Sequence, residues 1–210
     1  MARPARYTLA QIQQQALEIV DREGLAGLSM RSLAAALQTG PMTLYNYLDG
    51  REGLEELVVD AVAAQVPRTE PTDDWMADAR TAATALWSTA REHPATIPLI
   101  LTRRTTSPSA LAPAEALAAA LARSGRTGFD LLVAFRAVMG FVIGIAQSEL
   151  AGPLTPESDP KGEADRIRTV ASDANPTLAA LATTAGTDPH REFEEGLTLI
   201  LGGLSREASA

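Results

Sequence analysis

The sequence predicts an all-α protein, with an N-terminal three-helix helix-turn-helix domain and a larger helical domain after it. Three observations predict it. Alanine and leucine dominate the 210 residues and aromatics make up only 4%, a composition that favours helices over sheets. Apolar residues recur at three- and four-residue spacing, and no period-2 strand pattern or solenoid repeat interrupts them. Hydrophobic residues are 46% of the chain, enough for a sizeable buried core.

Taken in order, Thr8 and Gln11 form a capping-box pattern before a helix whose Leu9, Ile12, Ala16, Ile19 and Val20 share one face. Gly24 ends it as a left-handed cap. Ser29 caps a second, short helix with Leu33, Ala34 and Leu37 turned inward. Gln38-Thr39-Gly40 is a turn, and Pro41 suits the first position of a third helix that buries Leu44 and Leu48. Asp49 and Glu52 repeat the capping pattern for a fourth helix, with Leu54, Leu57, Val58, Ala61 and Val62 inside.

The proline-rich stretch Pro67 to Pro71 divides the chain into residues 1–66 and 67–210. A long helix is expected from Asp74 to His93, interrupted at His93-Pro94 because a residue before proline avoids helical geometry. A brief helix (Ala95 to Leu101), a polar loop and a helix from Ala114 to Ser124 follow. Phe129 to Leu150 is apolar around most of its circumference and needs cover on several sides. Its Gly140 and Gly144 offer a close approach to another backbone. The segment Ala151 to Gly162 reads as a proline-rich loop, followed by a helix broken at Asn175-Pro176. The last helix starts at Asp188-Pro189 and carries Phe193, Leu197, Ile200, Leu201 and Leu204 at helical period.

Charge and composition bound the function. There is no cysteine, which excludes a disulfide framework or thiolate metal site and agrees with a reducing cytoplasm. The N-terminal stretch lacks a signal-peptide core, and Arg136 leaves the run Leu131 to Ala146 too short to span a bilayer, so no membrane role is expected. The net charge is −8. Residues 1–66 hold five arginines against eight acids, and residues 67–210 hold 13 basic against 18 acidic groups, so neither part is basic. DNA binding by such a chain has to be site-specific and poor in phosphate contacts.

The stretch Leu28 to Leu54 carries that reading. Between Ser29 and Leu48 the only formal charge is Arg31, and Thr43, Tyr45, Asn46 and Tyr47 crowd the second short helix. Two short helices on a tight turn, the second bearing hydrogen-bonding and aromatic groups, suit entry into a major groove. Arg31 as a lone charge points to a base reader rather than a solvated surface group. The i, i+2 spacing of Tyr45 and Tyr47 turns at least one of them outward.

On these residues, above all Thr43 to Leu48 followed by Arg51-Glu52-Gly53-Leu54, Leu9 to Val66 resembles the DNA-binding domain of the tetracycline-repressor (TetR) family. His93-Pro94, Gly140 to Leu150, Asn175 to Leu178 and Phe193 to Leu204 resemble the ligand-binding domain of its tetracycline-repressor branch. The resemblance implies that Arg31 reaches a guanine edge and that Pro41 and Met42 touch bases through apolar contact. It assigns Thr43, Tyr45, Tyr47 and Arg51 to phosphates. The family's usual lysine at the start of the fourth helix is here Arg51, and its usual turn glycine is here Gln38.

The resemblance further implies a homodimer built on the last helix and Phe129 to Leu150, double-stranded operator DNA as partner, and a small, largely apolar effector. Trp87, Phe135, Met139 and Gln147 are candidate pocket residues, with Arg104 at the pocket mouth; plain core packing and a solvated loop are the simpler alternatives. The branch's magnesium-binding histidine is missing from Pro98 to Arg103, so neither a metal nor another cofactor is expected. No catalytic constellation is visible, which argues against an enzyme. The rival readings are a helical protein-interaction module and a ligand-insensitive regulator.

Overall fold

The computed structural model describes residues 7–102, 107–151, 175–184 and 188–207, and among them every regular element is a helix. The chain groups into two compact units: residues 1–70 with 88–117, and residues 71–87 with 118–210. The first unit therefore includes a segment beyond residue 66.

In the first unit, α1 (Leu9–Gly27) opens with the expected reciprocal box: Thr8 Oγ1 accepts from the Gln11 amide, and Gln11 Oε1 accepts from the Thr8 amide. Gly24 lies inside α1 at φ 70°, ψ 179°, an extended geometry reserved for glycine rather than the expected left-handed cap. It kinks the helix, and Leu25 to Gly27 form a last turn beyond it. Then come α2 (Met30–Ala36), α3 (Pro41–Leu44) and α4 (Gly50–Gln65). Ile12, Ala16, Leu17, Val20, Leu33, Leu44, Leu54 and Val58 are all buried in one core.

The expected cap at Asp49 does not form. Asp49 does take the N-cap position, and its carbonyl accepts the first helical bond from the Gly53 amide at 3.1 Å, but its carboxylate accepts no amide of the first turn, and Gly50 beside it has φ 61°.

Helix α5 (Trp75–Glu92) starts under Asp74, whose carboxylate accepts from the Met76 and Ala77 amides. It stops at His93-Pro94 as expected, passing into a 3₁₀ turn (Pro94–Thr96) and α6 (Ile97–Thr102). That turn packs on α1 and α4, which is why residues 88–117 join the first unit. The buried His93 ring fixes the junction: Nδ1 lies 2.9 Å from Asp21 Oδ2, and Nε2 lies 3.2 Å from Gln65 Oε1.

Helix α7 (Pro108–Ala122) begins six residues before the expected Ala114. The reason is a cap overlooked in the sequence: Ser107 Oγ accepts from the Ala110 amide, and Pro108 suits the first helical position. Pro113 sits inside the helix and forgoes one backbone bond.

In the second unit, α8 (Gly128–Ala151) buries Ala134, Val138, Val142, Ile145 and Ala146 and packs on the last helix, α10 (Pro189–Glu207); α9 (Pro176–Thr184) lies between them in sequence. By length and composition alone Gly128–Glu149 is apolar enough to cross a membrane, so Arg136 does not shorten the run as expected. Within the chain one flank of α8 is covered and another is not. Phe129, Leu132 and Val133 stay exposed, and a Cβ built at Gly140 or Gly144 meets nothing within 4 Å. The expected broken-helix segment before Asn175 lies outside the described residues.

A close approach exists elsewhere, at Gly196 on α10. A Cβ there would stand 2.5 Å from Cζ of Phe141. Alanine at this position gains about 1 kcal/mol of helix propensity but overpacks a stacked ring at a cost of about 1–3 kcal/mol. Gly196→Ala is therefore expected to lower stability in urea unfolding, whereas Gly202→Ala, with open space around it, is not.

On the same unit Asp78 accepts from both the Thr72 amide and hydroxyl and pairs with Arg123. The Arg123 guanidinium, helped by Thr72, holds its carboxyl below the ordinary carboxylate value.

Candidate nucleic-acid interface and effector site

The reading edge rests on how α2 ends. The Thr39 amide donates to the Ala34 carbonyl at 2.8 Å and the Gln38 amide to the Ala35 carbonyl at 3.0 Å, the paired bonds of a Schellman motif. That motif needs a left-handed residue at Gln38, which has φ 51°. Hydrogen bonding from Thr39 Oγ1 to Thr43 Oγ1 at 3.1 Å then ties the turn to α3, which starts at Pro41 as expected. A non-glycine residue in this geometry costs about 1–2 kcal/mol. Gln38→Gly relieves that strain while adding unfolded-state entropy, so a gain of roughly 0.5–1 kcal/mol is expected in thermal unfolding.

At the other end of α2, Ser29 caps the helix through Ser32 and its amide, with Ser32 in the place usually taken by Glu or Gln. Arg31 follows at once, exposed, and among the described residues no group pairs with its side chain. Pro41 is exposed, Met42 is 77% exposed and Tyr45 54%, while Thr43 is half-buried. Tyr47 is half-buried and leans on the core of the first unit. The two tyrosines thus part as their spacing requires, Tyr45 outward and Tyr47 along the core. Tyr7, overlooked in the sequence, donates from its hydroxyl to the Leu37 carbonyl and steadies the same turn.

Arg51 is different. Its guanidinium donates to Glu55 Oε1 at 2.6 Å, to the Leu28 carbonyl at 2.7 Å and to the Leu25 carbonyl at 3.3 Å.

The residues considered for the effector lie mainly in the second unit. Trp87 is 1% exposed and is the centre of an aromatic group. Its ring stacks on Phe193 with centroids 4.2 Å apart, His190 meets it edge-on at 4.9 Å, and Phe141 stacks on Phe193 at 5.6 Å. Its indole N–H donates to Glu149 Oε1 at 3.2 Å. Phe135 and Met139 are half-buried on the flank of α8. Gln147 is exposed; Glu149, which bonds Trp87, lies two residues on and so about 200° around the helix. Gln147 instead falls on the stripe of Arg136, Gly140 and Gly144. Arg104 lies outside the described residues.

Phe193, Phe141, His190 and Glu149 were not singled out as site residues. Helical period marks Phe193 as buried, but no local signal pairs it with a tryptophan on another helix. No group of His, Cys, Asp or Glu suited to a metal is found among the described residues.

Comparison with known proteins agrees with this architecture. The family described as tetracyclin repressor-like, C-terminal domain, matches residues 66–208. The chain is 32% identical over 219 residues to the HTH-type transcriptional repressor DrrR1 of Streptomyces coeruleorubidus, covering 96% of this chain and 80% of that protein. It is 27% identical to the tetracycline repressor protein class C of Escherichia coli, over 91% of this chain and 87% of that one. The TetR family protein ActR of Streptomyces coelicolor, solved in complex with (S)-DNPA, superposes with a TM-score of 0.80 at 28% identity, covering 97% of this chain and 100% of ActR. A second ActR structure contains actinorhodin. The chain belongs to the tetracycline-repressor family and is a ligand-responsive, DNA-binding transcriptional repressor.

Proposed function

We propose that the chain binds a palindromic operator as a homodimer in the cytoplasm and leaves it when a small, largely apolar effector occupies residues 67–210. The observation that carries this is the outward edge of the first unit. Arg31, Pro41, Met42 and Tyr45 stand exposed on two short helices whose mutual angle is fixed by the Schellman turn. Arg31 offers a planar fork to a guanine, and Pro41 and Met42 offer apolar contact to a thymine methyl. Hydroxyls of Thr43, Tyr45 and Tyr47 hold phosphates and set the register. The work is binding rather than catalysis.

Two further features support the reading. The stripe of α8 from Phe129 and Val133 through Gly140 and Gly144 is exposed in the single chain and largely apolar apart from Arg136 and Gln147, and Leu199 on α10 is exposed too, which suits cover by a second copy. ActR is a relative whose structures hold small molecules, which supports an effector bound within residues 67–210. An effector that favours a dimer whose recognition helices no longer match successive major grooves releases DNA by its differential affinity for that state.

Selection from random-sequence duplex DNA with the purified protein tests the reading. The expected product is an inverted repeat with half-sites about one helical turn apart. Enrichment of a single unrepeated site would remove the homodimeric operator, and no enrichment would remove sequence-specific reading altogether.

A further inference from the structure

The family resemblance gives Arg51 to a phosphate, but three of its N–H groups are already engaged inside the protein. The acceptors come from two places. Glu55, one turn along α4, is only 8% exposed and takes the Nε hydrogen. The carbonyls of Leu25 and Leu28 take one hydrogen from each terminal nitrogen. Those carbonyls flank the connection that follows the Gly24 kink and launches α2. The same connection is bonded at Gly27, whose carbonyl accepts from Ser32 Oγ at 2.7 Å. Arg31 lies three residues beyond Leu28.

A guanidinium holds five donors in a rigid plane, so it can bridge acceptors on separate chain segments at once. A lysine ammonium is a compact charge on a flexible stem and cannot reproduce that span. We propose that Arg51 is a positioning residue for operator reading. It braces the α1–α2 connection against α4, and so sets where Arg31 meets the base edges; its effect on affinity does not come through a phosphate. Glu55 is the other half of the brace, holding the guanidinium in the plane that reaches both carbonyls.

The two roles respond in opposite ways to substitution. A phosphate contact depends on charge: Arg51→Lys retains it, and Arg51→Ala lowers the slope of log affinity against log salt by about 1. Glu55→Gln, which frees the cation, leaves a phosphate contact intact or strengthens it. A brace depends on the fork: Arg51→Lys and Glu55→Gln both weaken it.

The inference rests on the DNA-binding function, which selection with the wild-type protein establishes first. The duplex so selected, whatever its symmetry, is then titrated with wild type, Arg51→Lys, Arg51→Ala and Glu55→Gln across a salt series. An unrelated duplex is titrated in parallel, all below the lowest unfolding midpoint of the set. The expected result is a loss of roughly tenfold or more in specific affinity for all three variants, equivalent to misplacing one base contact. Non-specific affinity and the salt slope of Arg51→Lys should stay at wild-type values. Simple loss of stability would not separate specific from non-specific binding in this way. Wild-type affinity in Arg51→Lys, tighter binding in Glu55→Gln, or a slope reduced by about 1 in Arg51→Ala alone would overturn the brace.

Discussion

Replacing Trp87 with alanine is expected to cost about 3–5 kcal/mol, the largest stability loss of any single change considered, because it empties the centre of the second unit. The side chain is 1% exposed, and its ring is stacked face to face on Phe193. Removing it deletes the stack, the edge contact to His190 and the donor to Glu149 together. Against a typical total of about 5–15 kcal/mol, such a loss leaves the unit marginal. Trp87→Phe is milder: it keeps a ring against Phe193 but loses the N–H and the volume of the second ring, for about 1–3 kcal/mol. Urea unfolding monitored by circular dichroism measures both. A Trp87→Ala variant within 1 kcal/mol of wild type would mean that the aromatic group is not a stability centre.

Arg31→Ala is expected to have the largest effect on operator binding. One bidentate arginine–guanine contact discriminates by about 1–3 kcal/mol, and a symmetric operator loses it twice, so roughly thirtyfold or more in specific affinity should disappear. The electrostatics amplify the consequence. Residues 1–66 are net acidic, so little non-specific attraction remains to compensate for a lost base contact. Arg31→Lys, which keeps the charge without the fork, should recover little of the loss. Binding isotherms on the selected duplex decide it; undiminished affinity of Arg31→Ala would take base reading away from this residue. Because Arg31 is exposed and has no partner among the described residues, its removal should leave the unfolding midpoint unchanged.

How far the sequence foretold this molecule depended on whether a feature's partners were near in the chain. The box at Thr8 and Gln11, the cap at Ser29, Pro41 at the head of α3 and the inner faces of α1, α4 and α10 were legible, except that Leu9, expected inside α1, is 51% exposed at its first turn. Each of these rests on residues within two turns of each other. The Asp49 cap failed although its pattern was right: Asp49 takes the N-cap position, but its carboxylate makes no cap bond, and the pattern carries no sign of the positive φ at Gly50.

The long-range features had no comparable signal. Arg51 meets carbonyls 23 and 26 residues away, and Trp87 meets Glu149 62 residues away; nothing local marks either pair. The turn was legible in its position but not in its chemistry, since glutamine does not advertise the left-handed geometry that Gln38 adopts. For the reading edge, exposure agreed with the sequence at Tyr45 and Met42. Among the candidate pocket residues, helical period alone could not separate Gln147, on the exposed flank of α8, from its neighbour Glu149, which bonds Trp87.

The exposed stripe of α8 has a consequence for quantity as well as shape. Phe129 at 76% and Leu199 at 75% exposure lie bare on the single chain, and in the proposed homodimer a second copy that covered them would stabilise the folded chain by mass action. The unfolding midpoint then becomes a function of protein concentration instead of a constant of the sequence. Operator occupancy by the proposed dimer would inherit the same dependence: where protomers are scarce enough to separate, it would follow the square of their number. A modest change in copy number would then switch transcription more sharply than a monomeric repressor with equal affinity could.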